Sequence, residues 1–435
     1  MSYIPQENKV FGLVDANNFY ASCEQALNPK LKNKPVIVLS NNDGCVISRS
    51  KEAKALGIQM GQPAFEIRDL IEKHQVHVFS SNFTLYADFS YRFHEILSLF
   101  FPNVEVYSVD ESFVDFSGLQ GFDITSYAHF VRNEIYRWIK IPTCIGIGRT
   151  KTLAKLANRY AKMYPETNGV FNSLQREEFL LKSMPIEEVW GIGRKLSEFL
   201  KKKGITTAYH LIQQNDYWIR KNLKITGLRM VKELRGYACY DLEEFDPHKK
   251  STIVSRSFGN PVQDFDELCE ALLVFCEKLS EKLHHQKQQA TFLGVFIKSN
   301  PFDKKEPYYS NYRVKKLETP AYTIRELYHH AKELLSSIYQ SKMKYKKMGV
   351  MALGLVPIKD FQNDLFQYQS EEKREKEKKR NETILKLLKA YNHSGRQKIQ
   401  FAKNLQSHSS WKPKQLRLSQ RYTTNIEEIP IAYIK

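Results

Sequence analysis

The sequence predicts an α+β protein of several domains, organised around a ferredoxin-like sheet near its N-terminus. Three observations predict this. At 435 residues the chain is longer than one hydrophobic core usually serves. Between Val10 and Lys162 the hydropathy pattern reads strand, helix, hairpin, helix, strand, the order of a split βαβ unit. The texture then changes twice: to short glycine-punctuated helices from Met184, and to a second α+β stretch beyond the linker-like FDPHKKS at 245–251.

Taken in order, VFGLV leads through a polar turn into a helix from about Phe19 to Ala26. KPVIVLS (34–40) is a short β-branched strand closed by the turn-forming Asn41-Asn42-Asp43-Gly44, and a helix over Ser50–Leu56 stops at Gly57. Apolar residues at helical spacing (Phe89, Phe93, Ile96, Leu97, Phe100) predict a helix over Ala87–Phe101 ending at Pro102. NVEVYSVDESFVDF is two alternating runs meeting at Asp110-Glu111, a hairpin or sharply bent strand pair. Tyr127–Ile139 is helical, and PTCIGIGRT is a strand that leaves through small residues into a helix over Lys151–Lys162. Residues 31–78 read as a lobe inserted into this order. Further on, TIVSRSFGNPV and ATFLGVFIKSN predict strands, and Asp266–His284 and Thr323–Tyr339 predict helices. After Pro357 no long apolar period persists, and EEKREKEKKR (371–380) reads as a solvated helix face or tether.

Composition narrows the function classes. The apolar fraction of 42% suits a globular fold, and no run approaches the roughly 18 apolar residues of a membrane helix. The first twenty residues are polar and charged where a signal peptide would be apolar, so a cytoplasmic location is expected. Six scattered cysteines without a CxxC pair suit a reducing compartment and argue against a disulfide framework or a zinc site. His284-His285 and His329-His330 read as solvated helix residues. The net charge of +18 creates a field that gathers polyanions, nucleic acid first among them. Residues 361–435 carry 16 Lys and Arg against 8 Asp and Glu, a large share of that excess.

Three acids stand out. Asp15 ends the apolar strand FGLVD, and Asp110 and Glu111 follow YSV. Asp15 alone fits a cap or a turn as well as a ligand. Adjacent Asp110 and Glu111 gain little as turn residues, because like charges repel. If the two strands are neighbours, the carboxylates converge on a small volume that divalent cations would neutralise. Magnesium suits such a site, since it takes few protein carboxylates and keeps positions for water and phosphate. Two ions roughly 3.5–4 Å apart would serve nucleotidyl transfer.

DANNFYASCE (15–24), SNNDGCVISRSKEAKALGIQMG (40–61), SSNFTLYADFS (80–90), YSVDESF (107–113) and GIGRTKTLAKLANRYAK (146–162) closely resemble the Y-family DNA polymerases. The likeness is greatest to the UmuC type, the catalytic subunit of bacterial DNA polymerase V. It continues in order through EVWGIGRK (188–195), SRSFG (255–259), SNPFDKKEPYY (299–309) and LSQRYTT (418–424).

The resemblance implies a right-hand polymerase: a ferredoxin-like palm at 1–30 and 79–168, small fingers at 31–78, a helical thumb at 169–240, an α+β little finger at 246–357, and a clamp-binding, regulatory tail at 358–435. It implies an error-prone, SOS-type translesion enzyme acting on primer–template DNA and dNTPs, active at the nucleoid. Two Mg²⁺ ions would be held by Asp15, Asp110, Glu111 and the carbonyl of Ala16. Tyr20 would be the steric gate that clashes with a ribose 2′-hydroxyl. Arg49, Lys51, Lys54 and Lys162 would meet the triphosphate; the family often has Tyr and Arg where Lys51 and Lys54 stand, and lysine lacks arginine's fork. Gly191 and Gly193 fit a helix-hairpin-helix turn that offers backbone N–H groups to a DNA phosphate, with Arg194 and Lys195 adding charge. Arg256 would lie on a little-finger strand facing duplex phosphates. Gln362, Leu365 and Phe366 resemble the QxxLF peptide that docks in the bacterial sliding clamp. A processed UmuD-type dimer and a RecA filament are the implied activators. A non-catalytic DNA-binding scaffold would not need three converging acids. A palm-fold nucleotidyl cyclase would need neither the thumb-like turn nor the basic distal domain.

Overall fold

The structure, a computed structural model, describes residues 9–119, 123–242, 249–303, 306–358, 371–392 and 410–429. It forms two compact units: residues 1–40, 44–246 and 417–435 in the first, and 41–43 and 247–416 in the second.

The first unit begins with β1 (Phe11–Ala16) and α1 (Phe19–Leu27), followed by β2 (Val36–Leu39), β3 (Val46–Arg49), α2 (Lys51–Ala55), α3 (Arg68–Lys73) and β4 (His77–Ser80). Next come α4 (Phe83–Phe100), β5 (Val104–Val106), β6 (Glu111–Asp115), α5 (Ile124–Ile139), β7 (Thr143–Gly148), α6 (Lys151–Met163) and β8 (Val170–Asn172). Four helices complete it: α7 (Glu177–Ser183), α8 (Arg194–Lys202), α9 (Ala208–Ile212) and α10 (Asp216–Leu234), the last broken at Lys224.

The main sheet has the order β5-β6-β1-β7-β8. Every residue of β1 and β7 is buried, which explains their near-continuous apolar sequence. Val14, Val114, Ile145 and Ile147 pack against Phe93, Leu97, Val131 and Ile135 of α4 and α5. Phe11, Leu13 and Phe113 meet Ala154 of α6. Gly146 makes the close approach of α6 possible: a Cβ there would lie 1.9 Å from the backbone nitrogen of Asn158 and 2.3 Å from the carbonyl oxygen of Ala154. Asn158 seals the contact by donating to the carbonyls of Cys144 (2.7 Å) and Leu13 (3.2 Å).

The inserted lobe has its own three-stranded sheet, β3-β2-β4, with β2 antiparallel to β3 and parallel to β4. Ile37, Leu39, Val46, Ile58, Ile67 and Val76 form its separate core. Only β2 and α2 are legible in the sequence, and the expected boundary at 78/79 falls inside β4. Glu233 ties the helical region to the main sheet. Its fully buried carboxylate accepts from the backbone N–H groups of Thr152, Cys239 and Tyr240, the first lying in the opening turn of α6.

The second unit contains β9 (Ser251–Val262), α11 (Phe265–Gln286), β10 (Gln288–Ser299), β11 (Ser310–Ala321), α12 (Ile324–Ile338), β12 (Tyr345–Pro357) and α13 (Glu371–Asn392). Its antiparallel sheet has the order β11-β10-β12-β9, and Leu272, Phe275, Leu279, Leu327 and Leu335 of α11 and α12 cover one face. β11 and β12 go beyond the sequence reading.

The segment expected as a single tail is used in pieces. Trp411 is buried in the second unit's core, edge-on to Phe275 at 6.3 Å. Residues 417–429 belong to the first unit. Among the described residues no helix is long and apolar enough to cross a membrane. Their six cysteines are all free thiols.

Candidate active site

The site is built where three neighbouring strands meet one helix. β1 pairs antiparallel with β6, and the register sets Asp15 directly opposite Glu111. At the next rung the N–H of Ala16 donates to the carbonyl of Asp110 at 2.8 Å. The Asp110 carboxylate accepts from the Ser108 hydroxyl at 2.7 Å, which fixes it at the tip of the β5–β6 turn.

Asp15 is 6% exposed. Burial pushes its carboxyl up to about 7 against the pull of Lys162, and Glu111 adds to the rise. Lys162 lies 2.5 Å from Asp15, and Lys155 lies 2.9 Å from Glu111. Two carboxylates facing each other across a ladder repel unless cations neutralise them, and here two lysines of α6 do so. The donors are hard oxygens, with the Ala16 carbonyl on the adjoining rung, and this set fits a hard divalent cation better than a soft one.

Lys155 was not anticipated, though a signal for it was present. Lys151, Lys155, Asn158 and Lys162 are spaced i, i+4, i+7, i+11, one stripe of a helix. The stripe faces the sheet. Lys151 forms a buried ion pair with Glu105 of β5 and lies 5.1 Å from the ring centroid of Phe113. Lys155 also stands 4.4 Å from the centroid of the Tyr107 ring.

The expected phosphate-binding residues converge in part. Partial burial of its amine pushes Lys54 below its ordinary range although the residue as a whole is exposed, and the cations Arg49, Lys162 and Arg159 add to the fall. Arg49, Lys54 and Lys162 therefore share one positive field beside Asp15, and Arg159, bound to Glu188, joins it unpredicted. Arg49 donates to the carbonyl of Ile58, while its buried Nε has no hydrogen-bond partner. Lys51 is exposed in the first turn of α2.

Tyr20, on the first turn of α1, is half-buried, and its hydroxyl is pushed up by burial and then by Asp110 and Cys23. The ring stacks on Tyr86 (4.5 Å between centroids, 18° between planes) and meets Phe83 edge-on at 6.0 Å.

Gly191 has φ of +93°, a left-handed turn that favours glycine, and Gly193 begins α8 with no side chain to cap it. Arg194 and Lys195 follow on the exposed side of α8. Arg256 is half-buried, with burial depressing its guanidinium, whereas its neighbours Ile253 and Ser255 are exposed. Strand alternation thus puts Arg256 on the side of Thr252 and Val254, away from the outward face expected for it. Gln362, Leu365 and Phe366 lie outside the described residues. The His329-His330 pair does have a carboxylate neighbour: Glu333 is 3.3 Å from His329 and is also bound to Lys315 at 3.0 Å.

Comparison with known proteins supplies the context. Residues 14–159 match the impB/mucB/samB family, residues 249–365 match that family's C-terminal domain, and residues 384–432 match a domain of unknown function, DUF4113. The chain is 40% identical to Protein ImpB of Salmonella typhimurium over 97% of its own length and 99% of that protein's. It is 42% identical to Protein UmuC of Salmonella typhimurium over 79% of this chain and 82% of that one. It is 30% identical to DNA polymerase IV of Moorella thermoacetica over 81% and 88%. Among solved structures, a Y-family DNA polymerase chimera of Dbh and Dpo4 superposes with a TM-score of 0.66 at 21% identity, covering 80% of this chain and 99% of that one.

Proposed function

The chain belongs to the impB/mucB/samB family of Y-family polymerases, and from that premise we propose that its acid cluster performs metal-assisted nucleotidyl transfer. It is a DNA-directed DNA polymerase of the error-prone, translesion kind. The observation that carries the site assignment is the direct opposition of Asp15 and Glu111, with Asp110 on the next rung and Lys162 and Lys155 ion-paired to the two opposed acids.

Two Mg²⁺ ions bound here would activate the primer 3′-hydroxyl and stabilise the departing pyrophosphate. Asp15, Asp110, Glu111 and the Ala16 carbonyl are the groups that would hold them. Arg49, Lys51, Lys54 and Lys162 supply positive charge for the triphosphate, whose negative charge grows on the leaving pyrophosphate. Tyr20 presents its ring beneath the sugar and excludes a 2′-hydroxyl. The palm, fingers and thumb are assigned to 1–30 with 79–168, 31–78 and 169–240, and the little finger to 246–357. Gly191, Gly193, Arg194 and Lys195 are assigned to the DNA backbone. Gln362, Leu365 and Phe366 are assigned to the sliding clamp, and a UmuD-type dimer and a RecA filament to activation.

The test is primer extension across an abasic site with Mg²⁺ and dNTPs, with and without those activators. Asp110→Asn should abolish extension while leaving primer–template binding in place; extension equal to wild type would remove the assignment. Leu365→Ala with Phe366→Ala should lose clamp binding and keep basal extension.

A further inference from the structure

The C-terminal segment 417–429 lies along the surface of the first unit and is hydrogen-bonded to buried groups that support the ring assigned as the sugar gate. It enters beside β4, where Ser80 N–H donates to the carbonyl of Arg417 at 2.9 Å and Arg417 N–H donates to the Ser80 hydroxyl at 3.0 Å. Two residues on, Ser419 makes three further bonds. The Asn82 side-chain amide donates to its carbonyl (3.2 Å) and its hydroxyl oxygen (3.0 Å), and the Ser419 hydroxyl donates to Oε1 of Glu24 at 3.0 Å. Beyond it the segment is braced by Glu428, which accepts from Arg421 and from Asn425.

Each of these partners bears on Tyr20. Glu24 is 3% exposed, lies on α1 one turn beyond Tyr20, and accepts from the Tyr86 hydroxyl at 2.7 Å through the same oxygen that Ser419 uses. Tyr86 is 2% exposed, and its ring is the one stacked on Tyr20. Asn82 is the N-cap of α4, its side-chain oxygen accepting from Leu85 N–H, so the tail also grips the helix turn that carries Phe83 and Tyr86. Both aromatic walls of Tyr20 are therefore held by groups that the tail satisfies.

A buried carboxylate needs its hydrogen bonds. With Ser419 removed, Glu24 would keep the Tyr86 hydroxyl as its one described donor, in a place where burial already favours its neutral form. The bond that fixes the Tyr86 ring would weaken, and with it the floor on which Tyr20 rests. We propose that Ser419 is a positioning residue for deoxynucleotide selection, acting through Glu24 and Tyr86 on the Tyr20 ring. This gives the region matched to a domain of unknown function a task in substrate specificity. The inference rests on the assignment of Tyr20 as the gate.

The experiment measures kcat/KM for a correct dNTP and for the matching rNTP with the full-length chain and its activators. Ser419→Ala should lower the deoxy-to-ribo ratio roughly 3- to 10-fold, the factor one hydrogen bond of ordinary strength provides. Incorporation of the dNTP should change by less than about twofold, since the loss concerns rejection of the wrong sugar rather than transfer itself. Tyr86→Phe, which keeps the ring and deletes the hydroxyl, should act alike, and Ser419→Thr should restore the ratio. In a Tyr20→Ala background, Ser419→Ala should have no further effect on the ratio, because the group it positions is gone. An unchanged ratio in both Ser419→Ala and Tyr86→Phe, with Tyr20→Ala relaxed, overturns the positioning role alone. Continued exclusion of ribonucleotides by Tyr20→Ala overturns the gate and the positioning role together. A lower melting temperature with an intact ratio reduces Ser419 to a structural anchor and also overturns the proposal.

Discussion

Adding one methyl group at Gly146 should disable the site from behind. The new Cβ would lie 1.9 Å from the Asn158 nitrogen, whereas ordinary contact begins near 3.4 Å, so α6 must retreat by about 1.5 Å. Both neighbours are backbone atoms, and no side-chain rotation relieves them. The retreat strains the two Asn158 bonds, at 2.7 and 3.2 Å, and stretches the Lys162–Asp15 contact from 2.5 Å to the edge of ion-pair range. Overpacking of this kind costs about 1–3 kcal/mol, and two lost hydrogen bonds add about 1 kcal/mol each. The total is about 3–5 kcal/mol, or a fall of roughly 10 °C in thermal midpoint. Because α6 carries Lys155 and Lys162, extension should fall by about 100-fold, as displacements near 1 Å can do. Differential scanning calorimetry and single-turnover primer extension read the two effects. A midpoint within about 2 °C of wild type, with full extension, would refute the claim that glycine is needed for this helix to seat.

Three further outcomes follow from the same region. With metal chelated, stability should fall as pH rises from about 4 towards 7, because native Asp15 keeps a proton that the unfolded chain releases near 3.8. The slope is at most about 1.4 kcal/mol per pH unit, and Asp15→Asn should flatten it in urea titrations at several pH values. Glu233→Ala strands one buried and two part-buried N–H groups and should cost about 2–4 kcal/mol by urea denaturation, whereas a loss below about 0.5 kcal/mol would show that water replaces the carboxylate. Lys151→Met breaks the buried ion pair with Glu105 and should cost about 3–5 kcal/mol by urea denaturation, most of it recovered when Glu105→Leu is added.

Much of the site was legible because its parts lie on regular elements. Asp15 and the Asp110-Glu111 pair interrupt apolar strands, and an acid in such a place shows in the sequence. What pattern reading missed has physical reasons. β3 and β4 are four residues each, too short for a period to emerge. β11 is an edge strand whose first seven residues are exposed, so it shows no apolar alternation. The lysine stripe of α6 was visible at helical spacing, but its meaning depends on which strand it faces. Ser419 lies in LSQRYTT, a stretch that carries the family resemblance, but nothing in its local pattern pointed to a role. It is held by hydrogen bonds rather than by apolar burial, and a polar segment that bonds to its own protein reads like one that bonds only to water.

The bond from Ser419 to Glu24 spans 395 positions of sequence. At ribosomal speeds of about 5–20 residues per second, Glu24 emerges roughly 20–80 s before its partner is made. Nascent chains must therefore carry an unfinished pocket for most of their synthesis, and a message truncated near its end yields a protein whose main sheet can form while this last tie is missing.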